Sequence, residues 1–160
     1  MNIFVLDQDP ETAAQMLVDK HCVKMCLESA QILSTVCHAN GIEAPYKATH
    51  KSHPCTVWAG VSQGNWEWLI DHSLAMCAEY THRYGKTHAS QRVIEWCRDN
   101  APEFSDTSRT PFAQAMPDQY KSDCAVVAYR KYYHGEKAHF AKWTNRAVPR
   151  WWEVKCGSYC

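Results

Sequence analysis

Residues 9–41, DPETAAQMLVDKHCVKMCLESAQILSTVCHANG, decide the fold. Asp9 is a good N-cap, Pro10 suits the first helical position and Glu11 favours the positive end of the helix dipole. Asn40-Gly41 supply a C-terminal stop. Between them Leu17, Met25, Leu33 and Val36, with Ala13, Ala14, Cys26 and Ala30, make a broad apolar face. The pattern predicts one helix from Pro10 to about His38, most of it packed inward. Its one polar break is Asp19-Lys20-His21, after which His21, Lys24 and Glu28 share a stripe at spacings of three and four.

Outward from this stretch, Asn2–Leu6 (NIFVL) reads as an extended apolar lead-in. Residues 42–53 read as a loop, and Pro54 opens a second helical region carrying Trp58, Trp66, Trp68, Leu69, Leu74, Met76 and Cys77. That region stops near Gly85, with Gly60 and Gly64 as candidate splits. A short helix is expected over Ser90–Asn100, closed by Pro102. From Glu103 to Asp118 the chain lacks periodicity and is rich in Ser, Thr, Pro and Asp, so it is read as a surface loop. A last helix begins near Asp123 and runs through Tyr133. Gly135 interrupts it, and a second piece covers Glu136–Asn145 before the tail Arg146–Cys160. The expected fold is all-α: a single compact domain of three to four main helices with a long proline-containing loop and an aromatic C-terminal tail.

The 160 residues fit one domain. Hydrophobic residues at 46% and charged residues at 21% give the balance of a chain that buries a core rather than staying disordered. No apolar run reaches the roughly 18 to 20 residues needed to span a bilayer, and the short apolar start is followed by acids, unlike a signal peptide. The expectation is a cytoplasmic chain, in the host cell if it is viral, with no membrane contact. Nine cysteines (22, 26, 37, 55, 77, 97, 124, 156, 160) form no CxxC pair. They are expected as reduced, mostly buried thiols; zinc at Cys22/Cys26 or Cys156/Cys160 is the less favoured reading. Net charge is +0, unlike a protein held to nucleic acid by bulk attraction. The charge is uneven, however: residues 1–20 carry four acids and one Lys, whereas from Lys121 to Lys155 Lys and Arg outnumber the three acids.

Three constellations can carry chemistry. The first is Asp19-Lys20-His21 with Lys24 and Glu28, where a half-buried carboxylate beside Lys and His can act as general acid or base. Spacing alone favours the alternative, a Lys24–Glu28 salt bridge on a solvated face. The second is His50, His53, Asn65, His72, Glu79, His82, Arg83 and His88, in which His72, Glu79 and Arg83 share a helix face. No HExxH motif is present, so hydrogen bonding between helices is preferred to a metal site. The third is Tyr129-Arg130-Lys131-Tyr132-Tyr133, Lys137, Lys142-Trp143, Arg146 and Arg150-Trp151-Trp152. Cations neutralise phosphates while aromatic rings stack on unpaired bases. Aromatic rings capping the core with polar tips outward is an equal alternative.

The run Leu17-Val18-Asp19-Lys20-His21, with Glu28 seven residues past the His, resembles the first helix of the pyrimidine-dimer DNA glycosylases typified by the T4 phage endonuclease V. There an Asp-X-His is followed at the same distance by the catalytic Glu. His53 opening a long helix that ends Glu79-Tyr80 and Arg83-Tyr84-Gly85-Lys86 is similar to the family's central helix. Met116-Pro117, Ala128-Tyr129-Arg130 and Pro149-Arg150-Trp151-Trp152 loosely parallel its aromatic C-terminus. The chain is also similar to small uncharacterised proteins of bacterial viruses.

The resemblance implies a glycosylase with lyase activity on damaged or modified pyrimidines in DNA. An N-terminal amine attacks the sugar C1′ to form an imine, and the helix Glu assists. An α-amine titrates nearer neutrality than a lysine, which suits it to this role. The family exposes a Thr amine after methionine removal. Asn2 is large enough for Met1 to stay, so the implied catalytic residues here are Met1, His21 and Glu28. Leu27 stands where the family has an arginine before the Glu. The implied DNA-binding residues are Lys20, Lys24, His53, Arg83, Lys86, Arg130, Lys131, Lys142, Trp143 and Arg146. The expected partner is damaged or modified DNA, bound by a monomer, with no cofactor and no metal. The alternatives are a transferase that modifies thymine in phage DNA and a noncatalytic nucleic-acid-binding phage protein.

Overall fold

The computed structural model describes residues 1–154; the Cys156 and Cys160 expectation, and Lys155, lie outside the described residues. These residues form seven α-helices and no strand: α1 (Pro10–Met16), α2 (Asp19–Ala39), α3 (Pro54–Val61), α4 (Gln63–Tyr84), α5 (Gln91–Asp99), α6 (Ala125–Tyr132) and α7 (Arg150–Glu153). The all-α expectation holds. None of the described helices is long and apolar enough to cross a membrane. One continuous apolar cluster joins residues 3–6, the inner faces of α1 to α5, and Tyr129, Tyr133 and Trp151.

The single helix expected over Pro10–His38 is two. Asp9 caps α1 through Thr12 N–H as anticipated, but Leu17 and Val18 are extended (ψ 138° and 155°) and fully buried. The carbonyls freed by the break find donors from far along the chain. Arg83 Nη1 reaches Leu17 O at 2.7 Å, Arg83 Nη2 reaches Gln15 O at 3.0 Å, and Trp143 Nε1 reaches Met16 O at 2.9 Å. A helix end buried without such partners is costly. The apolar pattern runs through the break because both broken residues face the core.

The second helical region splits at Ser62, between the two glycines flagged in the sequence. Ser62 is extended and its hydroxyl caps α4 by accepting Asn65 N–H at 3.2 Å. Asn65 Nδ2 donates to Trp58 O at 2.8 Å, which satisfies the end of α3, while Asn65 and Thr110 exchange two further bonds. Gly64 is required here, because a Cβ would lie 2.6 Å from Ser108 O of the loop that crosses α4. Gly85 closes α4 in the left-handed conformation at φ 70°. The Ser90–Asn100 helix is α5, with those two residues as its caps.

After α6 the expected break at Gly135 is instead a widened π-turn over Tyr133–Lys137, followed by a single 3-10 turn at Ala138–Phe140. The helix expected over Glu136–Asn145 does not extend beyond that turn. Residues 142–144 pair with α2 instead: Asp19 N–H donates to Lys142 O at 2.8 Å, and Thr144 donates to Asp19 through its backbone at 2.9 Å and its hydroxyl at 2.6 Å.

Candidate active site

The chain start is bound into the core rather than frayed. Asn2 Oδ1 accepts Ile3 N–H at 2.8 Å and the Tyr129 hydroxyl at 2.9 Å, while Asn2 Nδ2 donates to Ala115 O at 2.7 Å. Phe4 takes a left-handed φ of 58°, a strained value for a bulky residue that persists only where surroundings over-determine it. Its ring stacks on His21 at 4.0 Å and 15° and meets Tyr129 edge-on. These contacts hold the first residue against α2.

At that point the α-amine of Met1 lies 3.1 Å from Glu28 Oε1. Glu28 is only 8% exposed, and its Oε2 is buried with no protein partner. The Lys24–Glu28 salt bridge favoured by spacing is replaced by this pair; Lys24 points to solvent. A buried carboxylate with one oxygen engaged and one idle is an unsatisfied acceptor that a native fold rarely leaves without purpose.

His53 borders the pair. It caps α3, its Nδ1 accepting Cys55 N–H at 3.1 Å. Its pKa is lowered by burial, then by the Met1 amine and by His50, against upward pulls from Glu28 and the Met1 backbone. The neutral imidazole is therefore favoured beside the amine.

His21, one of the implied catalytic residues, is buried against Phe4 and Tyr133. Burial, with Lys137 and Lys24 nearby, drives its pKa down to about 3. Its Nδ1 is hydrogen-bonded at 2.7 Å to the Tyr133 hydroxyl, whose own pKa burial raises well above the ordinary value, so the hydroxyl keeps its proton. A neutral ring sandwiched against Phe4 fixes geometry and carries no charge to a phosphate. Asp19 of the Asp-X-His run is likewise structural. Burial raises its pKa, but bonds from Thr144 and Arg83 outweigh that and hold it low.

The expected DNA cations divide sharply. Lys20, Lys24, Lys86, Lys131 and Lys142 are exposed. Arg83 is buried and bonds Glu79, Asp19, Leu17 O and Gln15 O. Arg146 clamps Glu79 through two bonds of 2.8 and 2.7 Å. Arg130 is buried, donating to Leu6 O at 2.9 Å and lying over the Trp151 ring. Arg83 and Arg130 are thus buried braces of the fold rather than exposed phosphate ligands, and Arg146, partly exposed, is bonded to Glu79. Trp143 packs edge-on against Trp152 at 5.3 Å and donates its N–H to α1, so it is not an open stacking platform. Tyr129, Tyr133 and Trp151 are buried, and the two tyrosine hydroxyls bond inside the core to Asn2 and His21, so these rings form neither a stacking surface nor a cap with polar tips outward.

No group of three or more His, Cys, Asp or Glu able to hold a metal occurs among the described residues. Cys22, Cys26, Cys37, Cys55, Cys77 and Cys97 are buried free thiols. Burial pushes Cys22 and Cys55 up to about 12, so neither offers a thiolate nucleophile. Sequence reasoning missed the parts played by Phe4, Tyr133, Lys137 and the amide of Asn2. NIFVL reads as an apolar run, and nothing local in it announces a left-handed turn.

The fold and site define a helical protein in which the Met1 amine faces a buried glutamate of α2. A family profile described as pyrimidine dimer DNA glycosylase matches residues 1–92, more than half of the chain, and the chain belongs to that family. The match contains Met1, His21, Glu28 and His53. No curated protein and no solved structure matches the chain.

Proposed function

We propose that this protein is a DNA glycosylase with associated strand-cleaving lyase activity on damaged or modified pyrimidines, acting through the α-amine of Met1. The observation that carries the reading is the 3.1 Å contact between that amine and Glu28 Oε1 inside a buried site. Membership of the glycosylase family supports it.

An ammonium has no lone pair, so the amine must first lose a proton, and Glu28 is the group in reach to take it. The amine nitrogen then bonds to C1′ as the C1′–base bond breaks, and the base leaves with the bonding pair and takes the proton that Glu28 had received, which returns Glu28 to the carboxylate. As the sugar ring opens, O4′ takes the C1′–O4′ bonding pair and a proton from the attacking nitrogen, leaving a protonated imine whose positive charge the Glu28 carboxylate stabilises. The idle Oε2 is suited to accept a proton from C2′, so that the 3′ phosphate leaves by elimination and the strand is cut. Water then hydrolyses the imine and restores the amine. His53, with its neutral form favoured, adds no competing positive charge. Lys20 and Lys24 on the outer face of α2 serve the flanking phosphates.

The test is incubation with duplexes carrying a panel of damaged and hypermodified pyrimidines, reading strand breaks and borohydride-trapped protein–DNA adducts together. The reading expects both signals from wild type and neither from Glu28→Gln. Base modification without any trapped adduct would replace it with the thymine-modifying transferase, and binding without reaction would replace it with a noncatalytic module.

A further inference from the structure

The Met1 amine and Glu28 lie below the surface, so C1′ of a nucleotide stacked in a regular duplex cannot meet them. Enzymes that work on a nucleotide take it out of the stack, and some proteins hold a duplex open by inserting an apolar side chain between base steps. The outer face of α2 carries the parts for this. Lys20, Val23, Lys24 and Leu27 are all exposed and fall on one side of the helix over two turns.

Single exposed aliphatic residues are ordinary. Val23 and Leu27, at 42% and 41% exposure, are different in arrangement. They stand one turn apart, which joins them into a ridge, and the ridge lies among two lysines. Leu27 and Glu28 share one turn of α2 but point about 100° apart, so Leu27 enters beside the nucleotide that reaches Glu28 rather than at it. The charge is matched to a polyanion and the ridge to its apolar interior. An aliphatic wedge needs no hydrogen-bond partner inside a base stack, whereas a cation at the same position would.

We propose that Leu27, backed by Val23, enters the base stack of duplex DNA beside the nucleotide whose C1′ meets the Met1 amine, with Lys20 and Lys24 on the flanking phosphates. This rests on the amine chemistry proposed above. The wedge matters where stacking must be broken and has little to do where the strand is already open.

The experiment compares borohydride trapping rates of wild type, Leu27→Ala, Leu27→Met and Val23→Ala on one abasic oligonucleotide, presented as a duplex and as a single strand. For Leu27→Ala the ratio of duplex to single-strand rate is expected to fall about tenfold or more, with a smaller fall for Val23→Ala. Leu27→Met restores most of it. A 2-aminopurine placed beside the abasic site brightens on binding wild type and brightens less with Leu27→Ala. An unchanged ratio, or an equal loss on both substrates, overturns the wedge while leaving the amine chemistry standing. Absence of any adduct from wild type on either strand form overturns the amine chemistry and the wedge with it.

Discussion

Glu28 of α2 and Glu79 of α4 are both buried, both helical and both paired with a cation, yet their surroundings commit them to different work. Glu79 is saturated: Oε1 accepts from Arg83 at 2.9 Å and Arg146 at 2.8 Å, and Oε2 from Arg146 at 2.7 Å. Burial raises its pKa, but these bonds and charges win and hold it low. Glu28 has one partner, a terminal amine, and one idle oxygen. A buried carboxylate such as that of Glu79 is a rivet, because both of its oxygens are held by charged partners of the fold. An unsaturated one beside a nucleophile retains the capacity to move a proton. Residue type and burial do not separate the two; the unfilled acceptor does.

The comparison breaks most visibly in activity. Glu28→Gln keeps the shape of the side chain and removes its basicity, so strand cleavage should fall roughly 100-fold to 10,000-fold in single-turnover assays, the range typical of a lost general base. A variant that cleaves at the wild-type rate would end the role assigned to Glu28. Glu79→Gln should do the reverse. It leaves the fully buried Arg83 short of an anion and costs about 3 to 5 kcal/mol in urea unfolding, the usual penalty for breaking a buried pair. Cleavage per folded molecule should be largely kept, and a loss of cleavage without loss of stability would dissolve the contrast.

Acid sharpens the distinction further. His21 and His72 are buried neutral, with burial as the main cause lowering them from 6.5 to about 3 and about 4. The unfolded chain binds those protons first, so stability declines as pH falls below about 6.5, by about 1.4 kcal/mol per pH unit for each histidine, until the folded values are reached. Asp19 and Glu79, whose folded values are depressed, add their loss only below the ordinary carboxylate range. Urea midpoints against pH should therefore begin to drop near 6.5, and His72→Gln should flatten that first limb. A profile flat down to pH 4 would contradict the neutral state of both rings.

The smallest effect is the salt dependence of DNA binding. Lys20→Ala and Lys24→Ala should each lower the slope of log affinity against log salt by about one unit or less. Arg146→Ala should leave that slope unchanged and lower stability, since its guanidinium is occupied by Glu79. A reduced slope for Arg146→Ala would return that residue to the DNA surface.

How much of this was legible in the sequence varies by element. The stops and caps at Asp9, Gly85 and Asn40 acted as local chemistry dictates, and the apolar stripe of residues 9–41 marked the right face of α2. The break at Leu17–Val18 was not legible, because Arg83 and Trp143, more than sixty residues away, supply the donors that make it affordable. The same limit applied to the aromatic C-terminal third. Alternating Arg and Tyr suit a phosphate surface and a buried brace equally well until burial is known.

The sequence by itself determined that the chain is helical, that a carboxylate stands seven residues past an imidazole on one helical stripe, and that this run resembles a glycosylase helix. Those properties depend on neighbours within a few turns, which periodicity reports. Only the tertiary structure decided which cation each carboxylate would meet. The Met1 amine reaches Glu28 because Phe4 turns left-handed onto His21 and Asn2 is tied to Tyr129, and Arg83 and Arg130 are withdrawn from solvent by bonds to Gln15 O and Leu6 O. Such pairings span distances along the chain that no local pattern encodes.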